Sequence, residues 1–187
     1  MPTVTKKMKA NIKVEIELPE GVTAVIVDGV LTVKGKEGEN VRDFTYPTVS
    51  TKVENGKIVL SSDDATKREK KMIGTFNSHI KNLVSGVLEK FVYKLKICSG
   101  HFPMNVSVSG NKIIVKNFLG EKHPREYEFP QGVEIKVNGT EIEIKSCSKE
   151  LAGRAASAIE KLCNITNRDR RIFQDGIWMI VKAGKEL

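Results

Sequence analysis

Apolar and polar residues alternate early in the chain. Ile12, Val14, Ile16 and Leu18 are separated by Lys13, Glu15 and Glu17. A period of two puts alternate side chains on opposite faces, the pattern of a strand with one wet side. Pro19-Glu20-Gly21 closes it, and further short strands are predicted near 22–27, 30–34, 41–46 and 57–61. Between them stand Asp28-Gly29 and Asn55-Gly56, dipeptides that reach positive φ easily and suit hairpins. After Asp63 and Asp64 the period changes. Ile73, Phe76, Ile80, Leu83, Val84, Val87 and Leu88 recur at three and four, which predicts an amphipathic helix ending near 88. Asp63 or Asp64 is its predicted N-cap.

The pattern then begins again. Phe91, Tyr93, Leu95 and Ile97 alternate with Lys94 and Lys96, and strands are predicted near 104–109, 113–116, 126–129, 133–137 and 141–145. A second helix over 148–163 gathers Leu151, Ala155, Ala156, Ile159 and Leu162 on one face, with Ser146 or Ser148 near its cap. Laid over each other, the halves match Val27-Asp28-Gly29 with Val108-Ser109-Gly110, and Val33-Lys34-Gly35 with Val115-Lys116-Asn117. Arg42, Phe44, Tyr46 and Pro47 match Arg125, Tyr127, Phe129 and Pro130. Such a repeat reads as tandem duplication. The expected fold class is α+β: two tandem homologous domains, 1–89 and 90–187, each a mainly antiparallel β-sheet packed against one α-helix.

Composition narrows the function classes. With 40% hydrophobic and 29% charged residues, the chain reads as globular rather than disordered. No apolar run approaches the ~18 residues of a membrane span, so no membrane partner is expected. Lys6, Lys7 and Lys9 are followed by Lys13 and Glu15 rather than by the apolar core of a secretory signal. Cys98, Cys147 and Cys163 are odd in number and far apart, which predicts unpaired thiols and the cytoplasm. No catalytic constellation is visible. His79, His101 and His123 do not share metal-ligand spacing with the cysteines, and the paired glutamates sit at i, i+2 on strands as solvent faces. No catalytic residue, metal or cofactor is expected. Gly35-Lys36-Glu37-Gly38, a G-x-x-G string, reads as a hairpin turn.

Charge gives the positive clue. The net charge is +8, and residues 1–89 carry 14 basic and 12 acidic side chains against 17 and 11 in residues 90–187. The excess in the second half points to polyanion contact there. Two clusters concentrate it. Lys67, Arg68, Lys70 and Lys71 open the first helix, where cations oppose the macrodipole. Asn167, Arg168, Arg170 and Arg171 lie beyond the second, and arginine forks suit phosphates. Ile172, Phe173 and Ile177–Val181 return to an apolar pattern and anchor the tail.

Several strings go further than periodicity. Leu18-Pro19-Glu20-Gly21-Val22 with Val33-Lys34-Gly35-Lys36-Glu37-Gly38 resembles the opening of the universal large-subunit ribosomal protein six family. His101-Phe102-Pro103-Met104-Asn105-Val106, Asn117-Phe118-Leu119-Gly120-Glu121-Lys122 and Asp169-Arg170-Arg171-Ile172-Phe173-Gln174-Asp175-Gly176-Ile177 resemble its archaeal and eukaryotic branch. The resemblance implies two homologous α+β domains and a structural, non-enzymatic role. It implies binding to large-subunit rRNA, mainly through the C-terminal domain, near the stalk base and the sarcin–ricin loop. Neighbouring ribosomal proteins and translational GTPases would lie nearby, with the protein a monomer within the ribosome. The strongest contact candidates are Arg168, Arg170, Arg171 and Asn167, then Lys116, Asn117, Lys122, His123 and Arg125. Lys94, Lys96, His101, Arg154, Lys182 and Lys185 follow on charge, and Lys67, Arg68, Lys70 and Lys71 form a secondary patch. Phe102, Phe118 and Phe173 read as core, the commoner fate of Phe, with stacking on bases as the alternative. The same basic surface would also suit a non-ribosomal RNA-binding regulatory module.

Overall fold

In the computed structural model, which describes residues 10–54 and 56–187, the first alternating segment forms strand β1 (Ala10–Glu17). Asn55, Lys6, Lys7 and Lys9 lie outside the described residues. There follow β2 (Thr23–Val27), β3 (Val30–Gly35), β4 (Gly38–Asp43), β5 (Ser50–Glu54), β6 (Lys57–Ala65) and helix α1 (Lys67–Leu88). After Glu89 a second unit starts. It contains β7 (Phe91–Cys98), β8 (Asn105–Ser109), β9 (Lys112–Lys116), β10 (Arg125–Glu128), β11 (Glu134–Asn138), β12 (Glu141–Ser146), helix α2 (Lys149–Leu162), β13 (Gly176–Lys182) and β14 (Lys185–Glu186). Every strand pairing among the described residues is antiparallel.

The expected tandem α+β architecture is present, with each unit's strands shared between two sheets. Unit 1 has the orders β1-β6-β5 and β2-β3-β4; unit 2 has β11-β12-β7-β13-β14 and β8-β9-β10. In unit 1 the apolar faces of β3 and β6, including Leu31, Val33, Ile58 and Leu60, close against Ile73, Ile80 and Val87 of α1. In unit 2, Leu95, Ile113, Ile142 and Ile144 close against Ala152, Ala155, Ala156 and Ile159 of α2. The alanine stripe lets α2 approach its sheets closely, while α1 fills the same role with larger side chains.

The repeat is visible in hydrogen bonds. The Phe44 N–H donates to the Gly29 carbonyl at 2.9 Å, and the Phe129 N–H donates to the Asn111 carbonyl at 3.0 Å. The Ser62 hydroxyl donates to the Thr48 carbonyl, and the Ser146 hydroxyl to the Gly132 carbonyl, both at 2.7 Å. These contacts correct the sequence overlay. Phe44 corresponds to Phe129 rather than Tyr127, and both phenylalanines are buried. Val27, which flanks the β2–β3 turn opposite Val30, corresponds to Ser109, which flanks the β8–β9 turn opposite Lys112. With a period of two, the one-residue slip in the overlay would put the wrong side chain outward.

The first helix cap is also corrected. β6 runs through Asp63 and Asp64 because its pairing with β1 continues to Ala65 opposite Ala10. The N-cap is Thr66, in a capping box with Glu69. Hydrogen bonds from the Thr66 side chain and N–H push the Glu69 carboxyl down to about 2. Ser148 caps α2, accepting from the Leu151 N–H, while Ser146 serves the repeated bond described above. Gly35 and Gly38 pair across the β3–β4 hairpin, so the G-x-x-G string is the turn it was expected to be. Cys98, Cys147 and Cys163 form no disulfide with one another, and no helix among the described residues is long and apolar enough to cross a membrane.

Candidate nucleic-acid interface

The C-terminal loop lies between α2 and β13 and is built around aspartates. Asp169 accepts the Arg171 N–H at 2.9 Å and takes its guanidinium at 2.8 to 3.2 Å, while its carbonyl accepts the N–H groups of Ile172 and Phe173. This local turn presents Arg171 at 91% side-chain exposure. An exposed ion pair contributes only ~0–1 kcal/mol, so Asp169 holds Arg171 without preventing its transfer to a phosphate. The other arginines lie on aromatic rings. The Arg168 guanidinium is 4.8 Å from the Phe173 centroid, and that of Arg170 is 5.6 Å from Trp178. The Trp178 indole N–H donates to the Gln174 carbonyl at 3.2 Å. The arginines are thus held on three different supports rather than as one cluster. Asn167 supplies the left-handed bend before them, at φ 58°.

Asp175, 2% exposed, joins this loop to the turn after β7. It accepts the N–H groups of Gly100 (2.9 Å) and His101 (3.1 Å), and the His101 Nδ1 lies 3.0 Å away. Burial alone would raise its pKa. The hydrogen bonds from the His101 ring and the two N–H groups, with the histidine charge, more than offset this and hold it below the ordinary carboxylate value. The His101 ring stacks on Phe173, with centroids 4.8 Å apart and planes at 25°.

A further loop completes the surface. Asn117 (φ 60°) donates its amide to the Pro103 carbonyl at 3.0 Å. Phe102, 47% exposed, lies beside Gly120, where a Cβ would be 3.6 Å from the ring. Lys116 at the end of β9, and Lys122 and His123 on this loop, are exposed. The segments around 101–103, 116–123 and 168–175 therefore form one linked, cationic and partly aromatic surface.

Other candidates lie apart or are already engaged. Arg125 forks onto Glu121 at 2.6 and 2.8 Å, donates to the Leu162 carbonyl at 2.6 Å and covers the Phe118 ring at 4.4 Å. It joins β10 to the end of α2 and has little left to offer a phosphate. Lys94 and Lys96 lie in the middle of the five-stranded sheet, opposite Glu143 and Glu141. Arg154 lines a separate depression with Asn111, Tyr127 and Pro130. Lys182 and Lys185 face each other across the β13–β14 hairpin, a like-charge pairing that costs stability. In unit 1, Lys67, Arg68, Lys70 and Lys71 surround the capping-box glutamate, and Arg68 leans over Tyr46 at 5.9 Å. Of the three phenylalanines, Phe118 is core at 1% exposure, Phe102 is exposed and Phe173 is half-buried. Sequence reasoning missed Asp175 and Trp178. Both belong to or adjoin the C-terminal string, yet nothing in that string says which acid is buried or which ring carries an arginine. Among the described residues no group of three His, Cys, Asp or Glu side chains could hold a metal ion.

Comparison with known proteins fits this geometry. The model of the family described as ribosomal protein L6 matches residues 18–90 and again 102–176, once for each unit. A large ribosomal subunit protein uL6 from Nanoarchaeum equitans is 46% identical over 184 residues, covering 94% of this chain and 96% of its own length. The uL6 protein of Methanococcus vannielii is 43% identical, covering 95% and 98%. That of Methanobrevibacter smithii is 44% identical, covering 92% and 97%.

Proposed function

Because the chain belongs to the ribosomal protein L6 family, in its archaeal branch, we propose that it is a structural, non-enzymatic constituent of the large ribosomal subunit and grips large-subunit rRNA through unit 2. The observation that carries this reading is the linked surface of 101–103, 116–123 and 168–175. There Lys116, Lys122, His123, Arg168, Arg170 and Arg171 are exposed on segments tied together by hydrogen bonds and stacking. Fixed loops suit an RNA of defined shape, because the ordering cost is met in folding rather than in binding. The family resemblance supports a position near the stalk base and the sarcin–ricin loop, in the cytoplasm, with neighbouring large-subunit proteins and translational GTPases close by.

The test is salt-dependent binding of the full chain to a large-subunit rRNA fragment. Removing one cation that reaches a phosphate should flatten the slope of log affinity against log salt by about 0.7 to 0.9. Replacing Lys122, Arg168 and Arg170 together with Ala should therefore lower the slope by roughly two. An unchanged slope in a folded variant would remove this surface from the interface.

A further inference from the structure

Resting on the RNA-binding reading, we infer that His101 is a prebuilt stacking site for one unpaired nucleobase and that Asp175 is its positioning residue. A carboxylate can only accept, so the 3.0 Å contact to Asp175 places a hydrogen on His101 Nδ1 and holds the ring plane. The two backbone N–H bonds already tie the loops together. The third bond instead restrains a ring whose side chain remains 40% exposed. Phe173 is already engaged: the His101 ring stacks on it and the Arg168 guanidinium lies at the same 4.8 Å from its centroid. His101, exposed where Phe173 is half-buried, is the outer ring of that stack. Exposed Phe102 follows it in the chain, and Arg168, beside Phe173, carries charge for a flanking phosphate.

The ligand this arrangement suits is a splayed-out base. Bases within a duplex have both faces covered, whereas an exposed ring, restrained in advance, suits the free face of an unpaired nucleotide. The hydrogen bond to Asp175 lowers the cost of ordering the ring when the base arrives.

The experiment compares two probes of equal charge on the full chain: octa-adenylate and an octamer of abasic ribose phosphate. The adenylate should bind about 5- to 100-fold more tightly. His101→Ala should abolish that gap, and His101→Phe, which stacks without the carboxylate, should retain it. Asp175→Asn should narrow the gap in the wild-type background and change nothing further in the His101→Ala background. A merely structural aspartate would not show that dependence. Equal binding of the two probes to the wild type, or a gap that survives His101→Ala, overturns the stacking site while leaving the phosphate grip intact. If neither probe nor the rRNA fragment binds, the RNA-binding reading falls and this proposal with it.

Discussion

Asp175 keeps its charge in a buried position because three N–H groups converge on it. Its folded-state pKa lies below the unfolded value of about 3.9, so its contribution is complete above that pH and is lost as pH falls through the folded value. Asp175→Asn should therefore cost about 1–3 kcal/mol at pH 7, and the difference from wild type should shrink below about pH 4. Urea unfolding at several pH values measures it; a constant difference down to pH 2 would contradict the assignment. Arg125 makes the opposite point about charge. Its guanidinium joins Glu121, the Leu162 carbonyl and the Phe118 ring. Arg125→Ala should destabilise unit 2 by about 2–4 kcal/mol and leave the salt slope of rRNA binding unchanged. Lys122→Ala should do the reverse. Sequence reveals that both residues are basic, but not that one is occupied from within. That difference depends on where Leu162 ends its helix, a contact 37 residues away.

Among the elements, the end of α1 is fixed by the β3–β4 hairpin. The Glu37 N–H donates to the Val87 carbonyl at 3.0 Å, and a Cβ on Gly35 would lie 2.8 Å from that same oxygen. Gly35→Ala must push the hairpin from the helix and should cost about 1–3 kcal/mol, read from thermal or urea unfolding. The outward face of β2–β4 shows how little some apolar positions matter. Val25, Val27 and Val41 are 56%, 62% and 59% exposed, while the equivalent positions in unit 2 are Ser107, Ser109 and Glu126. Transplanting those residues, as Val25→Ser, Val27→Ser and Val41→Glu, should change stability by less than about 1 kcal/mol. Legibility in the sequence followed burial. β1, β7 and the two helices were readable because one face is buried and the other wet. β5, with the sequence Ser-Thr-Lys-Val-Glu, has a single apolar residue and no period to read. β13 has the opposite character, an almost unbroken apolar run that periodicity cannot assign to helix or strand. The acidic pair at 63 and 64 resembled a cap because local preference could not show that β1 extends the pairing past it.

At the scale of the whole molecule, the two units have separate cores. Expressed alone, residues 90–187 should fold and keep most of the rRNA affinity, and residues 1–89 should bind at least tenfold more weakly. Equal binding by the halves would move the interface to the Lys67–Lys71 patch. The duplication was legible because each half repeats the same rhythm of strands and helix. The added strands were not, since among the described residues unit 1 has no counterpart of β13 from which to infer them. That extra strand also sets an order in time. β7 is bordered by β12 on one side and β13 on the other, so its sheet stays incomplete until Gly176–Lys182 has been synthesised. Asp175 and the arginine loop immediately precede that strand. A growing chain adds about 5–20 residues per second and folds from its N-terminus, so unit 1 matures seconds before the cationic surface exists. Emerging from a ribosome and surrounded by RNA, the nascent protein must complete β13 before it acquires its grip.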